Sequence, residues 1–268
     1  MGGAAMKKYP FLTVCILLVA AISPTGRSVA KTAQWSAGTA FPVQRGRFEF
    51  GLFQPATYGL SESLELSTHL LPNIFMPNMG IKWSHGSTGP YHWATRHSIY
   101  YPTRLLNLVA KEGIGGLISP EFTMPDMIAV HNELLVTRVW DPRFMTTAKL
   151  GITLALGSGD LDPRSTIDLP LIFPRLSVFY HTYSIRTGLN IQGRVFFRWH
   201  YQLNSDIFLI PEAEEDFAFD QTAFLLWRKN ARFQSGFGCK LTYAEYPFGT
   251  QWHLIPMLDT QWAFQIIK

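Results

Sequence analysis

Charge is what this chain has least of. Acidic and basic residues make up 16% of its 268 positions, against about a quarter in an ordinary soluble domain. Cysteine is scarcer still: only Cys15 and Cys239 occur. Cys15 lies in an N-terminal apolar run expected to be removed, so no disulfide can staple the mature chain. No acidic residue occurs before position 31, whereas Lys7, Lys8 and Arg27 do. Taking those three from 23 basic residues leaves 20 against 19 acidic, so the formal charge of +4 falls to +1. A nucleic-acid partner would need a basic face, and none is expected. Long apolar runs are absent after residue 30, which excludes a transmembrane helix there. Helical periodicity is confined to Arg104–Lys111 (RLLNLVAK), inside a long connection. Disorder is excluded by 47% hydrophobic and 14% aromatic residues, because a disordered chain is poor in both.

The N-terminus reads as an address. Lys7 and Lys8 precede an apolar run from Phe11 to Ile22, and Ser28-Val29-Ala30 follows. A basic start, a short apolar core and a small-x-small site are the parts of a secretory signal peptide. The run is shorter than the ~20 residues that span a bilayer as a helix, so cleavage after Ala30 is expected, with a membrane anchor as the alternative. Cys15 sits inside the apolar core rather than at its end, which does not suit a lipoprotein. Residues 31–268 are then a single domain.

That domain alternates with period two. In 188–203, Leu189, Ile191, Val195, Phe197, Trp199, Tyr201 and Leu203 oppose Asn190, Gln192, Arg194, Arg198, His200 and Gln202, with Phe196 the exception. In 144–156, Leu150, Ile152, Leu154 and Leu156 oppose Lys149, Gly151, Thr153 and Ala155. The segments 63–70, 232–244 and 251–266 repeat the pattern. Side chains alternate across a strand, so each has one greasy and one wet face. A soluble barrel would turn the greasy face inward, and a transmembrane barrel turns it to lipid around a polar lumen. Strand length, mid-strand charges (Arg194, Arg198, Lys240) and aromatics at strand ends (Trp83, Trp140, Trp227, Trp252) favour the second. The secreted soluble barrel is the alternative.

Twelve strands are expected, at 34–42, 47–58, 63–71, 78–85, 92–101, 128–139, 144–157, 169–182, 188–203, 217–228, 232–245 and 251–266. Short turns follow the even ones, at Gly59–Glu62, Gly86–Tyr91, Trp140–Arg143, Tyr183–Thr187 and Lys229–Ala231. Longer loops fall at 102–127, 158–168 and 204–216. Outer-membrane barrels have short periplasmic turns and long external loops. The expected fold is therefore all-β: an antiparallel up-and-down transmembrane barrel with both ends periplasmic.

The segment Tyr58-Gly59-Leu60-Ser61-Glu62-Ser63-Leu64-Glu65-Leu66 resembles the tight strand-turn-strand units of bacterial outer-membrane barrels. It is similar to barrels assigned to transport, including those linked to aromatic-compound degradation. The C-terminal Trp262–Lys268 resembles the final strand that the barrel assembly machinery reads, although it lacks a terminal aromatic. The resemblance implies a location in the bacterial outer membrane. It also implies contact with outer-membrane lipids and lipopolysaccharide, and assembly by that machinery.

Candidate chemistry is sparse. Ser84-His85, His97-Ser98 and His181 with Ser184 invite a lipid-acyl hydrolase, but neighbours on a strand face opposite sides. His131 and Glu133 share a face and could begin a metal or proton-transfer site, or form an ion pair. Asp160 and Asp162, and the acidic run Glu212, Glu214, Glu215 and Asp216, fall in expected outer loops. No catalytic residue, metal or cofactor is assigned. The expected lumen lining is Arg175, Arg194, Arg198, His200, Arg232 and Lys240, facing Glu49, Glu65 and Glu133. Opposed basic and acidic walls would set a transverse field in a wet pore, or pair and close it. Passive passage of a small solute or ion is the favoured function. An outer-membrane lipid hydrolase and a non-conducting structural or adhesion barrel are the alternatives.

Overall fold

A computed structural model of the chain describes residues 35–111, 120–159, 178, 182–211, 216–246 and 249–266. Twelve strands close into one barrel, each paired antiparallel with its neighbours in the chain and the last with the first. They are β1 (Arg47–Gly51), β2 (Ala56–Gly59), β3 (Leu64–Thr68), β4 (Asn78–Thr88), β5 (Tyr91–Tyr100), β6 (Met127–Asp141), β7 (Phe144–Gly157), β8 (Tyr183–Phe196), β9 (Trp199–Leu209), β10 (Phe217–Asn230), β11 (Phe233–Tyr246) and β12 (Gly249–Gln265). Helices α1 (Leu70–Asn73) and α2 (Thr103–Val109) lie in connections. The turns 60–63, 89–90, 142–143, 197–198 and 231–232 share one end of the barrel with the start of β1 and the end of β12. This turn end faces a loop end that carries the longer connections. The expected signal segment, residues 1–30, lies outside the described residues.

The barrel is built inside out. Ile81, Trp83, Leu150, Ile152, Leu154, Leu156, Phe237, Leu254 and Leu258 stand exposed at outward positions. Glu49, Glu65, Lys82, Glu133, Lys149, Asp206 and Asp259 are buried inward. Water would not tolerate so continuous an apolar exterior around so charged an interior, whereas a bilayer requires it. Trp252 and Trp262 both face out on β12, ten residues apart. At ~3.3 Å per residue and a tilt of ~40°, that separation spans ~25 Å, the height of the apolar band of a membrane barrel. Around each belt the rings pack together: Tyr243 lies 4.5 Å from Trp252 at the loop end. At the turn end the Arg138 guanidinium sits 3.7 Å over the Trp140 ring. No described helix is long and apolar enough to cross a membrane; this chain crosses with strands.

The lipid-facing assignment has a depth-dependent consequence. Leu258 lies between the two belts and Ile266 beyond Trp262, both exposed outward. An arginine at the midplane of such a barrel costs about 2–4 kcal/mol, and about 0–1 near the interface. Leu258→Arg should therefore lose about 2–4 kcal/mol of folding stability in lipid vesicles, and Ile266→Arg less than about 1. Equal losses would place Leu258 outside the bilayer core.

The strand count agrees with expectation, but four of the expected strands do not stand as drawn. Of the first, 34–42, the described residues form no strand. Ser36 to Thr39 turn, with Gly38 at φ +74°, and the segment runs inside the barrel. The expected strand 47–58 is two, β1 and β2. The chain reverses at Leu52–Pro55, where the Asp259 carboxylate accepts from the Leu52 and Phe53 amides at 3.0 and 3.1 Å. The expected strand 169–182 falls almost wholly outside the described residues, and β7 pairs directly with β8. The run 188–203 is the β8–β9 hairpin, turning at Phe197 (φ +44°) and Arg198. Tyr183–Thr187, expected as a turn, begins β8. Alternation survives the hairpin because a bulge between Arg194 and Phe196 offsets the parity change of a two-residue turn. Phe196, the exception in the pattern, stands at that bulge.

Strands β1, β2 and β3 have only five, four and five residues. That is about half of the ~9–11 needed to cross, so the wall is low on this side. The segment after β3 continues the apolar exterior above it with exposed Leu70, Leu71, Ile74 and Phe75. Asn78 fixes this segment: its Oδ1 accepts from the His69 amide at 2.7 Å, and its Nδ2 donates to the Met76 carbonyl at 2.9 Å. Helix α2 packs over the loop-end rims of β6 and β7, with Leu105 and Leu106 against Met127, Ala129 and Ala155.

Candidate functional site

A twelve-stranded barrel is wider than the eight-stranded kind whose interior side chains alone can fill. Here the residues ahead of β1 take up part of that space. Trp35, Ser36, Thr39, Ala40 and Val43 are all buried inside the turn-end half of the barrel. Five hydrogen bonds hold the segment to four strands. Glu65 Oε2 accepts from Ser36 Oγ at 3.2 Å and from the Val43 amide at 2.8 Å. The Ala40 amide donates to Thr137 Oγ1 at 2.8 Å, and Gln192 Nε2 donates to the Ala37 carbonyl at 2.7 Å. Lys82 Nζ, paired with Glu65 at 2.9 Å, donates to the Thr39 carbonyl at 3.4 Å. The small side chain of Ala40 fits between Ala94 and Leu135. At the base, Gly59 receives the segment: a Cβ there would strike the Gln44 carbonyl oxygen.

Above the segment lies a cavity of about 300 Å³ that reaches toward the loop end. Its charged lining is Lys82, Arg96, Lys149, Arg186 and Lys240 with Glu65, Asp206 and Asp220. Strand register organises these groups. Cα partners run Glu65–Lys82–Arg96–Glu133–Gly151–Arg186–Phe208, one row across β3 to β9. Because Gly151 has no side chain, Glu133 reaches across β7 to within 3.6 Å of Arg186, and it lies 3.6 Å from Arg96 on its other side. The His131 ring fills the space over Gly151, where a Cβ would meet it at 2.7 Å. Gly188 acts alike on β8: Lys149 reaches across it to Asp206 at 2.6 Å, and Arg186 donates to the same carboxylate at 2.7 Å. Lys240 pairs with Asp220 at 3.0 Å.

The expected lining residues are placed as follows. Glu49, Glu65 and Glu133 are buried in the lumen, Glu49 against Arg47 Nε at 2.6 Å. Lys240 lines the cavity. His200 stands inward near the turn end, its ring nitrogen 3.1 Å from the Arg198 carbonyl oxygen. Arg194 is exposed at the bulge, and Arg198 and Arg232 are exposed in the two-residue turns at 197–198 and 231–232. Arg175 lies outside the described residues. The opposed acidic and basic walls are corrected to an interleaved ring, because β9 runs on to Leu209 and places Asp206, with Asp220 of β10, among the bases. Arg96, Arg186, Asp206, Asp220 and Asp259 were not among the expected site residues. The alternation of Leu203, Ile207 and Leu209 with Asn204, Asp206 and Phe208 continues the strand and carried that signal.

Neither hydrolase pair that lies within the described residues converges on one site. His97 faces out, its Nδ1 2.7 Å from Asn132 Oδ1, while Ser98 is buried. His85 is exposed beside Trp83, and His181 lies outside the described residues. His131 Nδ1 lies 2.9 Å from Thr153 Oγ1 and its Nε2 3.9 Å from Glu133. Among the described residues no three His, Cys, Asp or Glu side chains gather as a metal site.

No protein-family model matches the chain, and no curated protein matches it. In backbone it is similar to outer-membrane channel barrels. The outer-membrane channel DcaP of Acinetobacter baumannii aligns at 8% identity and TM-score 0.41, over 91% of this chain and 68% of that one. The CymD monoaromatic hydrocarbon channel aligns at 7% identity and TM-score 0.44, over 79% of this chain and 72% of that one. A Pseudomonas aeruginosa FadL homologue aligns at 7% identity and TM-score 0.38, over 82% and 68%.

Proposed function

We propose that the protein is a bacterial outer-membrane channel for a small solute, closed at rest by its own N-terminal segment. Its partners are then outer-membrane lipids and lipopolysaccharide outside and the solute inside, with insertion by the barrel assembly machinery. One observation carries the reading: a charged lumen cavity is capped at the turn end by residues 35–43, a segment of no β-structure held by five hydrogen bonds. A rigid wall strand would leave nothing to move, and a lumen filled by wall side chains would leave no cavity. Here the blocking element is joined to the barrel only at its β1 end among the described residues.

The Glu65–Lys82 pair is the latch, since both members also bind the segment. Hydrogen bonds to charged groups contribute about 1.5–3 kcal/mol. Weakening them by Glu65→Gln should raise the open population about tenfold or more. Open probability in planar lipid bilayers measures this, and an unchanged value would remove Glu65 from the gate. A full chain that conducts steadily without any substitution would contradict the closed resting state.

A further inference from the structure

Within the cavity Arg96 is unlike the other cations. Lys82, Lys149, Lys240 and Arg186 each have a carboxylate oxygen within 3.0 Å. The Arg96 guanidinium has only Glu133, at 3.6 Å, and makes no hydrogen bond among the described residues. Its side chain is 28% exposed and lines the cavity, so its donors face open space. Glu133, whose side chain is wholly buried, stands behind both Arg96 and Arg186 at 3.6 Å and fixes the two guanidiniums as a pair. A guanidinium fork with unused donors matches a carboxylate in two parallel hydrogen bonds.

The uncharged lining is mostly polar, with Ser67, Asn78, Ser98, Asn190 and Asn204 among it, and its phenylalanines stand on β9, β10 and the β1–β2 loop. The Phe208 ring lies 5.6 Å from the Arg186 guanidinium, and Phe53, Phe224 and Met257 complete that side. The volume of about 300 Å³ is at the small end of ligand sites, ~300–1,000 Å³. From this we infer that the cavity is a seat for a small amphipathic carboxylate. The carboxylate forks onto Arg96, and the apolar body lies toward Phe208 and Phe224. The inference rests on the channel reading for its role, which is to select the solute that passes.

The seat is tested with benzoate as the probe, on the mature chain in lipid nanodiscs, by titration calorimetry. Benzyl alcohol keeps the ring without the charge, and acetate keeps the charge without the ring. Benzoate should bind at least about tenfold more tightly than benzyl alcohol, the factor expected for one charged hydrogen-bonded contact, and more tightly than acetate by the burial of its ring. Arg96→Gln should weaken benzoate about tenfold to a hundredfold with heat-modifiable mobility unchanged. Arg96→Lys, which keeps the charge and loses the fork, should fall between. Benzoate no tighter than benzyl alcohol, or unaffected by Arg96→Gln in the folded barrel, overturns the seat. The two readings fail separately. Gated conductance without benzoate binding sinks the seat alone, whereas benzoate binding in a barrel that never conducts keeps the seat and sinks the channel.

Discussion

Barrels lacking residues 35–43 are expected to conduct in planar bilayers, in steps that the full chain shows only rarely. The deleted stretch, Trp35-Ser36-Ala37-Gly38-Thr39-Ala40-Phe41-Pro42-Val43, holds no charged residue. Any new conductance therefore comes from the space it vacates and not from a changed net charge. On the wall Glu65 and Lys82 stay paired, and Thr137 keeps Thr147 as a partner at 2.8 Å. Heat-modifiable mobility checks that the shortened chain still closes its barrel. A folded, inserted and silent deletion variant would contradict the gate and leave a non-conducting barrel as the better account.

The second large effect is expected at Gly188. A methyl group there would strike Asp206 Oδ1 and lie 2.8 Å from Lys149 Cε, where the two residues meet across β8. Lys149 and Asp206 are both nearly inaccessible to water. Leaving a buried charge uncompensated costs about 3–5 kcal/mol; here that charge is the Lys149 ammonium, since Asp206 keeps Arg186 at 2.7 Å. Gly188→Ala should lose about that much stability in lipid refolding, whereas the same change at an unobstructed strand position gains about 0.5–1 kcal/mol. A loss under about 1 kcal/mol would mean that water or Asn204, which accepts from Lys149 at 2.6 Å, replaces the pair without strain.

How legible this was in the sequence differs by element. The faces of β3, β7, β11 and β12 follow from alternation, because lipid and lumen make opposite demands on successive residues. Glu49, Glu65, Glu133 and Lys240 were readable as inward for the same reason. Strand boundaries were not. The hairpin at Phe197–Arg198 left no break in the pattern, since its bulge restored parity, and two charged residues placed on a wall stand in turns instead. The expected strand 34–42 pairs with no neighbour among its described residues and runs inside the lumen instead. Its backbone groups bond to lumen side chains that no local pattern announces. The rows through Gly151 and Gly188 depend on pairing register across three strands, and only the closed sheet brings those residues together.

The gate, the carboxylate seat and the buried Lys149–Asp206 pair all require a barrel that faces lipid with one side of each strand and the lumen with the other. Cys239 and Lys240 test this in adjacent positions on β11. Cys239 is a free thiol at an outward position, and Lys240 lines the cavity. A bimane label on native Cys239 should be quenched by spin-labelled lipid acyl chains in vesicles. The same label on Lys240→Cys, with Cys239→Ser, should escape that quencher and respond to aqueous iodide instead. Equal quenching of the two positions by lipid, or the reverse order, would contradict the inside-out barrel.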